Sequence, residues 1–295
     1  MSLNNEGAAL LSPWQNAWDK MRVNRGAMAA LLVLLLFAGA ALFSPLLATH
    51  DPYEQHQDAL LVAPIWQASG SSDFILGTDD LGRDIFSRLV YGARYSLSLG
   101  LVIVAISLLA GVAIGALAGM KRGGLELVIL RLMDIMLSVP TILLAIVIVA
   151  IMGASLVNAA IAVSIVLLPH FVRIARAAVI NEMSRDYVQA SRLDGVRGWR
   201  LFVFTLLPNI SAPLIVQTTL SFSTAILDIA ALGFLGLGAQ PPLPEWGTLL
   251  SSSREYIEVA PWTVTLPGMA ILLTVLASNM LGDGLRDALD PRIEQ

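Results

Sequence analysis

Leu97–Gly119, LSLGLVIVAISLLAGVAIGALAG, runs for twenty-three residues without a charge. A helix needs about 20 such residues to cross the roughly 30 Å hydrocarbon core of a bilayer. This stretch therefore predicts a membrane-spanning helix. Five further runs of similar character accompany it: Ala27–Ala48 before it, then Leu132–Met152, Ser155–Ile174, Ile210–Leu232 and Trp262–Leu281. All six are expected to be α-helical, because lipid offers no partner to an open backbone N–H or C=O. Within the quoted run, Gly111, Gly115 and Gly119 recur every fourth residue and share one helix face. Small residues so spaced let two helix backbones approach closely. The predicted fold class is thus an all-α integral membrane protein built as a tight bundle.

Composition agrees. The 295 residues are 56% hydrophobic and only 14% charged, against about 25% charged in soluble domains. There is no cysteine, which removes disulfides, thiol catalysis and thiolate metal sites. Basic residues form no broad stripe with aromatics, so no nucleic-acid partner is expected. Ala27–Ala48 is longer than the 7–15-residue core of a signal peptide, and no small-x-small cleavage site follows it. It is expected to be a retained span.

Orientation follows from Lys and Arg, which concentrate on cytoplasmic segments. With the N-terminus inside, fourteen of the eighteen basic residues fall on the cytoplasmic side, and only Arg83, Arg88, Arg94 and Arg254 fall outside. Six spans with both termini cytoplasmic are expected. The resulting plan has a cytoplasmic segment 1–26, a first span 27–48, an external loop 49–94, a membrane domain 95–284 and a cytoplasmic tail 285–295. A cytoplasmic loop, residues 175–209, lies inside the membrane domain.

That loop carries the polar block Tyr187-Val188-Gln189-Ala190-Ser191-Arg192-Leu193-Asp194-Gly195, and Leu207-Pro208 lies twelve residues beyond. Ala190–Leu193 favours helix, whereas Gly195 and Gly198 favour its termination, since glycine takes the left-handed conformation without a Cβ clash. Helix, sharp turn, second helix and a stop at Pro208 are expected. Such a unit is either a docking surface for a soluble partner or an amphipathic surface loop. Outside, Thr78 or Asp79 is the expected N-cap of a short helix entering the second span. His50 and His56 stand among seven carboxylates of residues 49–94, but their spacing matches no metal-ligand pattern. No metal site is expected.

The loop resembles a family motif. Glu-Ala-Ala, three residues, Gly, nine residues, Ile-x-Leu-Pro marks the inner-membrane permeases of bacterial ABC importers. Here Gln189-Ala190-Ser191, Gly195 and Thr205-Leu206-Leu207-Pro208 keep that spacing, with Gln, Ser and Thr replacing Glu, the second Ala and Ile. Further segments resemble the dipeptide/oligopeptide/nickel permease family: Trp18-Asp19-Lys20-Met21-Arg22-Val23-Asn24-Arg25, Gly77-Thr78-Asp79 through Arg88, Phe234-Leu235-Gly236-Leu237-Gly238 through Gly247, and Gly282-Asp283 through Asp290-Pro291-Arg292. The resemblance covers nearly the whole chain. It implies a type I ABC importer permease fold in the bacterial inner membrane, a second homologous permease, two ATPase subunits and a periplasmic substrate-binding protein. It also implies that Gln189, Ala190, Ser191, Arg192, Asp194, Gly195, Leu207 and Pro208 couple the chain to the ATPases. Dipeptides are the implied substrate, with oligopeptides, nickel and glutathione as alternatives.

The chain has no Gly-x-x-x-x-Gly-Lys-Ser/Thr loop, the device that cradles nucleotide phosphates. ATP and Mg²⁺ are therefore expected in the partner ATPases, and no cofactor or catalytic residue in this chain. Arg173 and Arg176, three residues apart, are candidate anchors of the loop or simple topology-setting charges. Asp228 lies deep in the fifth span. A carboxylate there is expensive and faces protein or a wet cavity, so it lines a translocation path or bonds a neighbouring helix. Asp134 is expected to pair with Arg131 as an interfacial helix pair. Pro241-Pro242-Leu243-Pro244-Glu245-Trp246-Gly247 is expected to form a rigid external turn with Trp246 at the membrane–water interface. A self-sufficient secondary transporter, the other class, would show inverted repeats and more intramembrane charge; neither is evident.

Overall fold

A computed structural model describes residues 13–289. Residues 1–12 of the expected N-terminal segment, and Asp290-Pro291-Arg292 with the rest of 290–295, lie outside the described residues. The helices in chain order are α1 (Pro13–Val23), α2 (Arg25–Leu42), α3 (Ser44–Leu47), α4 (Ile85–Lys121), α5 (Gly124–Leu137), α6 (Thr141–Met152), α7 (Leu156–Met183), α8 (Asp186–Leu193), α9 (Gly198–Leu201), α10 (Leu207–Asn209), α11 (Ser211–Phe234), α12 (Trp246–Ser253) and α13 (Trp262–Leu289). The described residues contain no β-strand, only two isolated bridges.

Five helices, α2, α4, α7, α11 and α13, are each long and apolar enough to cross a membrane, and six spans result if the bent pair α5–α6 counts as one. The third run is thus not the single helix expected over Leu132–Met152. Its two parts meet at 94°, because Pro140 lacks an N–H and pushes Val139 away from the helical region. α6 alone rises only about 18 Å at 1.5 Å per residue. The first span also ends early, at Leu42 instead of Ala48. There Pro45 would clash with the carbonyl four residues back. In contrast, α4 starts at Ile85, nine residues before the expected end of the external loop at residue 94. Its cap is Asp84, whose side chain accepts from the Ser87 N–H at 2.9 Å, not Thr78 or Asp79. Asp79 instead closes its own turn, accepting from the Leu81 and Arg83 N–H groups at 3.0 and 2.9 Å.

α4 and α7 form the spine. A Cβ added at Gly115 would stand 2.5 Å from the Val172 carbonyl oxygen, and one at Gly111 would strike the Phe171 Cβ. The glycine stripe is therefore a helix-packing face within the chain. Ser107 Oγ donates across the same seam to the Ser164 carbonyl at 2.9 Å. Around this seam, Ile103, Val104, Val149, Val163, Leu167, Phe171, Ile229 and Leu232 form the central core. A second cluster on the α8 side joins Val112, Val179, Val188, Leu206 and Leu214. Outward faces are apolar and open: Leu32, Leu35 and Leu36 on α2 and Leu101 and Leu109 on α4 are more than half exposed. Apolar surface of that extent requires lipid or partner chains over it.

The segment 49–84 is locked to the start of α4 by charge. Arg83 Nε lies 2.7 Å from Asp79 Oδ2, and Arg88 donates to the Pro52 carbonyl at 2.9 Å. Asp79, Arg83, Asp84 and Arg88 are all buried, and buried charges persist only when paired or hydrogen-bonded. His50 and His56 pack around Phe74, with ring centroids 4.9 and 5.3 Å from it. Among the described residues no three His, Cys, Asp or Glu side chains converge to hold a metal ion.

Candidate functional site

The polar block folds as α8, directly after α7. Arg185 and Asp186 turn the chain, and Gln189 Nε2 donates to the Met183 carbonyl at 2.8 Å, clamping α8 to the end of α7. Tyr187 donates its hydroxyl to the Glu182 carboxylate. Burial and that hydrogen bond push the Tyr187 phenol up to about 12, so it remains a donor. Ser191 Oγ donates to the Tyr187 carbonyl at 3.0 Å. Beneath them Val188 is fully buried among Val112, Val179, Leu201 and Leu206. Burying a valine is worth about 1.5–3 kcal/mol. One side chain thus seats an otherwise exposed helix in the cluster shared by α7 and the turn Phe202–Leu206. Sequence reasoning missed Val188; its signal is that it is the one branched aliphatic side chain between Tyr187 and Ser191 in a polar run.

The opposite face of α8 is open. Gln189, Ala190, Arg192, Asp194 and Gly195 are exposed, and Leu193 is 89% exposed. Gly195 has φ +86° and nothing within 4 Å of where a Cβ would stand. Trp199 and Phe204 are 73% and 76% exposed. An exposed patch of Leu, Trp and Phe beside a polar helix is the composition of a protein-binding surface. The second helix does not stop at Pro208. After α9 the chain passes through one turn of π-helix, Phe202–Leu206, in which the Leu207 N–H reaches the Phe202 carbonyl. That wider turn accommodates the proline at residue 208, which would otherwise clash with the carbonyl four residues back. α10 then ends at Asn209, and α11 begins at Ser211. The unit from α8 to α10 is therefore a continuous bracket between two spanning helices.

Arg173 and Arg176 leave α7 toward α5. Arg173 pairs with Asp134 and Arg176 with Glu126, the latter also through Nε at 2.7 Å. Asp134 thus pairs with a residue 39 positions away and not with Arg131, because α5 folds back along α7. Both arginines tie α5 to α7 just above the bracket. The exposed Arg173–Asp134 pair orients more than it stabilises, while the Arg176–Glu126 pair is partly buried.

Asp228 is only 7% exposed on α11, and its Oδ2 has no hydrogen-bond partner among the described residues. At 100° per residue, Gln217, Ser221 and Thr224 fall within about 40° of it. Gln217 Nε2 donates to Ser221 Oγ at 2.9 Å. The result is a polar line along a helix otherwise packed by Ile226, Ile229 and Leu232. Beyond it, the proline-rich turn 241–245 leads into α12. Glu245 caps α12, accepting from the Thr248 N–H at 2.9 Å and Ser96 Oγ at 3.0 Å. Trp246 packs on protein and not on solvent: it is 1% exposed, donates to the Leu89 carbonyl at 3.1 Å and fits over Gly92. Its N–H finds a partner inside, so nothing draws it to water.

Comparison with known proteins places this arrangement. Residues 111–295 match the family of binding-protein-dependent transport system inner membrane components, and residues 12–64 match the N-terminal TM domain of oligopeptide transport permease C. The chain is 56% identical over 283 residues to the di/tripeptide transport system permease protein DppC of Pseudomonas aeruginosa, covering 96% of this chain and 93% of that one. It is 52% identical over 285 residues to the dipeptide transport system permease protein DppC of Escherichia coli K12, covering 97% and 95%. In fold it resembles the inward-facing MetNI methionine ABC transporter, with a TM-score of 0.57 at 19% identity over 70% of this chain and 98% of that one. The chain belongs to the binding-protein-dependent transport system inner membrane components, as a permease subunit of the peptide ABC importer family.

Proposed function

We propose that the chain forms, with a sister permease, a path for dipeptides across the bacterial inner membrane. Two ATPase subunits, which bind the ATP and Mg²⁺, drive it through the bracket α8–α10, and a periplasmic binding protein delivers the substrate. The observation that carries this reading is the joint at α8: an exposed helix seated by Val188 against α7 and the turn Phe202–Leu206 that leads into α11. A push on Gln189–Gly195 is transmitted to α7 and α11 as a rigid-body tilt, the form of motion that packed helices undergo. Type I topology with six spans and both termini cytoplasmic accords with the fourteen-to-four distribution of basic residues, which puts the bracket on the ATPase side. Dipeptides as substrate follow from the names of the relatives. Restoring the chain to a deletion strain should restore uptake of labelled dipeptides more than of oligopeptides, nickel or glutathione, and ATPase subunits should co-purify with it. Transport by the isolated chain in liposomes, without ATP, would make it a secondary transporter instead.

Asp228 is assigned to the path, where its buried, unpartnered Oδ2 meets the ammonium group of the peptide while Gln217 and Ser221 present hydrogen-bonding groups along the same line. A hydrogen bond to a charged group is worth about 1.5–3 kcal/mol. Asp228→Asn should therefore lower dipeptide uptake roughly tenfold or more, with the complex still assembled on size-exclusion chromatography. Unchanged uptake in an intact complex would remove Asp228 from the path.

A further inference from the structure

A groove of about 1050 Å³ opens between the second half of α4, the start of α11 and the bracket. Its walls are apolar: Leu108, Val112, Leu117 and Met120 on one side, Leu214 and Ile215 on the other. Three cations from three different places line it, Lys121 at the end of α4, Arg192 on α8 and Arg197 before α9. No acidic residue lines it. Among the described residues none of the three cations makes an ion pair.

We propose that this groove is a binding site for an anionic phospholipid of the cytoplasmic leaflet, with an acyl chain along α4 and the phosphate between Lys121, Arg192 and Arg197. Length supports it. Leu108 to Lys121 rises about 20 Å along the helix, the depth of one leaflet from mid-membrane to headgroup when the hydrocarbon core is roughly 30 Å thick. Charge supports it as well. A protein helix seated here would have to bring carboxylates to satisfy three unpaired cations, whereas a phospholipid brings both the apolar chain and the anion. Basic clusters at the cytoplasmic ends of helices recognise such headgroups. Two of the groove's α11 residues, Thr218 and Ile215, are turned by about 80° and 140° from Asp228 around the helix, while Leu214 borders the Asp228 side. Because Arg192 lies on α8, an occupied groove would brace the bracket. The site rests on the membrane orientation proposed above.

The test uses the purified complete transporter in nanodiscs of phosphatidylcholine with or without phosphatidylglycerol, followed by native mass spectrometry. The wild-type complex should retain phosphatidylglycerol. Lys121→Gln/Arg197→Gln should retain it about thirtyfold less, the size expected for two basic residues at an anionic surface, with phosphatidylcholine retention unchanged. Ala113→Trp, which fills the exposed groove wall without touching the cations, should displace both lipids. Retention of phosphatidylglycerol by the double variant at the wild-type level would overturn the site. So would a photocrosslinker at residue 113 that captures the sister permease in place of lipid. Failure of the permease reading would look different: no ATPase subunits would co-purify, whatever lipid is bound.

Discussion

Replacing Gly195 with Trp should leave the transporter hydrolysing ATP while dipeptide uptake falls to background. Two contributions to such an effect can be separated. The first is backbone strain. Gly195 has φ +86°, and placing an L-residue in the left-handed region costs about 1–2 kcal/mol. The second is bulk. Nothing in the chain lies within 4 Å of the position a Cβ would occupy, so the indole would project from the exposed end of α8 into the surface assigned to the ATPase. Gly195→Ala carries the strain without the bulk. It should retain most of the coupling, whereas Gly195→Trp should abolish it. Paired measurements of ATPase rate and peptide uptake in proteoliposomes decide the matter. Normal uptake by Gly195→Trp would remove α8 as the lever. Equal defects in both variants would make the turn's geometry, and not the partner surface, the cause.

The spans were legible because lipid imposes one demand, a long run without charge, that composition alone reveals. The polar bracket was legible for the complementary reason: a cluster of Gln, Ser, Arg and Asp between two such runs has nowhere to go except water. What escaped depends on contacts distant in sequence. Asp134 has a basic residue three positions away, and local spacing selects Arg131; only the fold-back of α5 brings Arg173 to it. Trp246 looked interfacial by residue type, but Gly92 and the Leu89 carbonyl, more than 150 positions earlier, make an internal seat for it. The break at Pro140 was a local signal outweighed by the apolar character of Leu132–Met152. For Asp228 the depth in the span was legible. The absence of a partner for its Oδ2 was not, since it depends on which side chains α4, α7 and α13 bring near.

The largest structural effect is expected at the seam between α4 and α7. Gly115→Leu should prevent the complex from accumulating as a monodisperse species in fluorescence-detected size-exclusion chromatography. The atom in the way is a backbone carbonyl, that of Val172 at 2.5 Å from the added Cβ, with the Ala175 Cβ at 2.9 Å behind it. A flexible side chain could swing aside; a carbonyl within a helix moves only if α7 moves. Overpacking a dense core costs about 1–3 kcal/mol and occasionally more, against total stabilities of about 5–15 kcal/mol for folded domains. Here the displaced helix also carries the Val188 socket and both arginines, so its shift unseats the bracket. Gly115→Ala should give an intermediate yield and a lower Tm. Gly39→Leu supplies the control: it adds the same side chain to another span, α2, where nothing lies within 4 Å, and should change neither. If Gly115→Leu assembles with wild-type yield and Tm, α4 and α7 are not held by close backbone approach, and the glycine spacing needs another explanation, such as a contact with the sister permease.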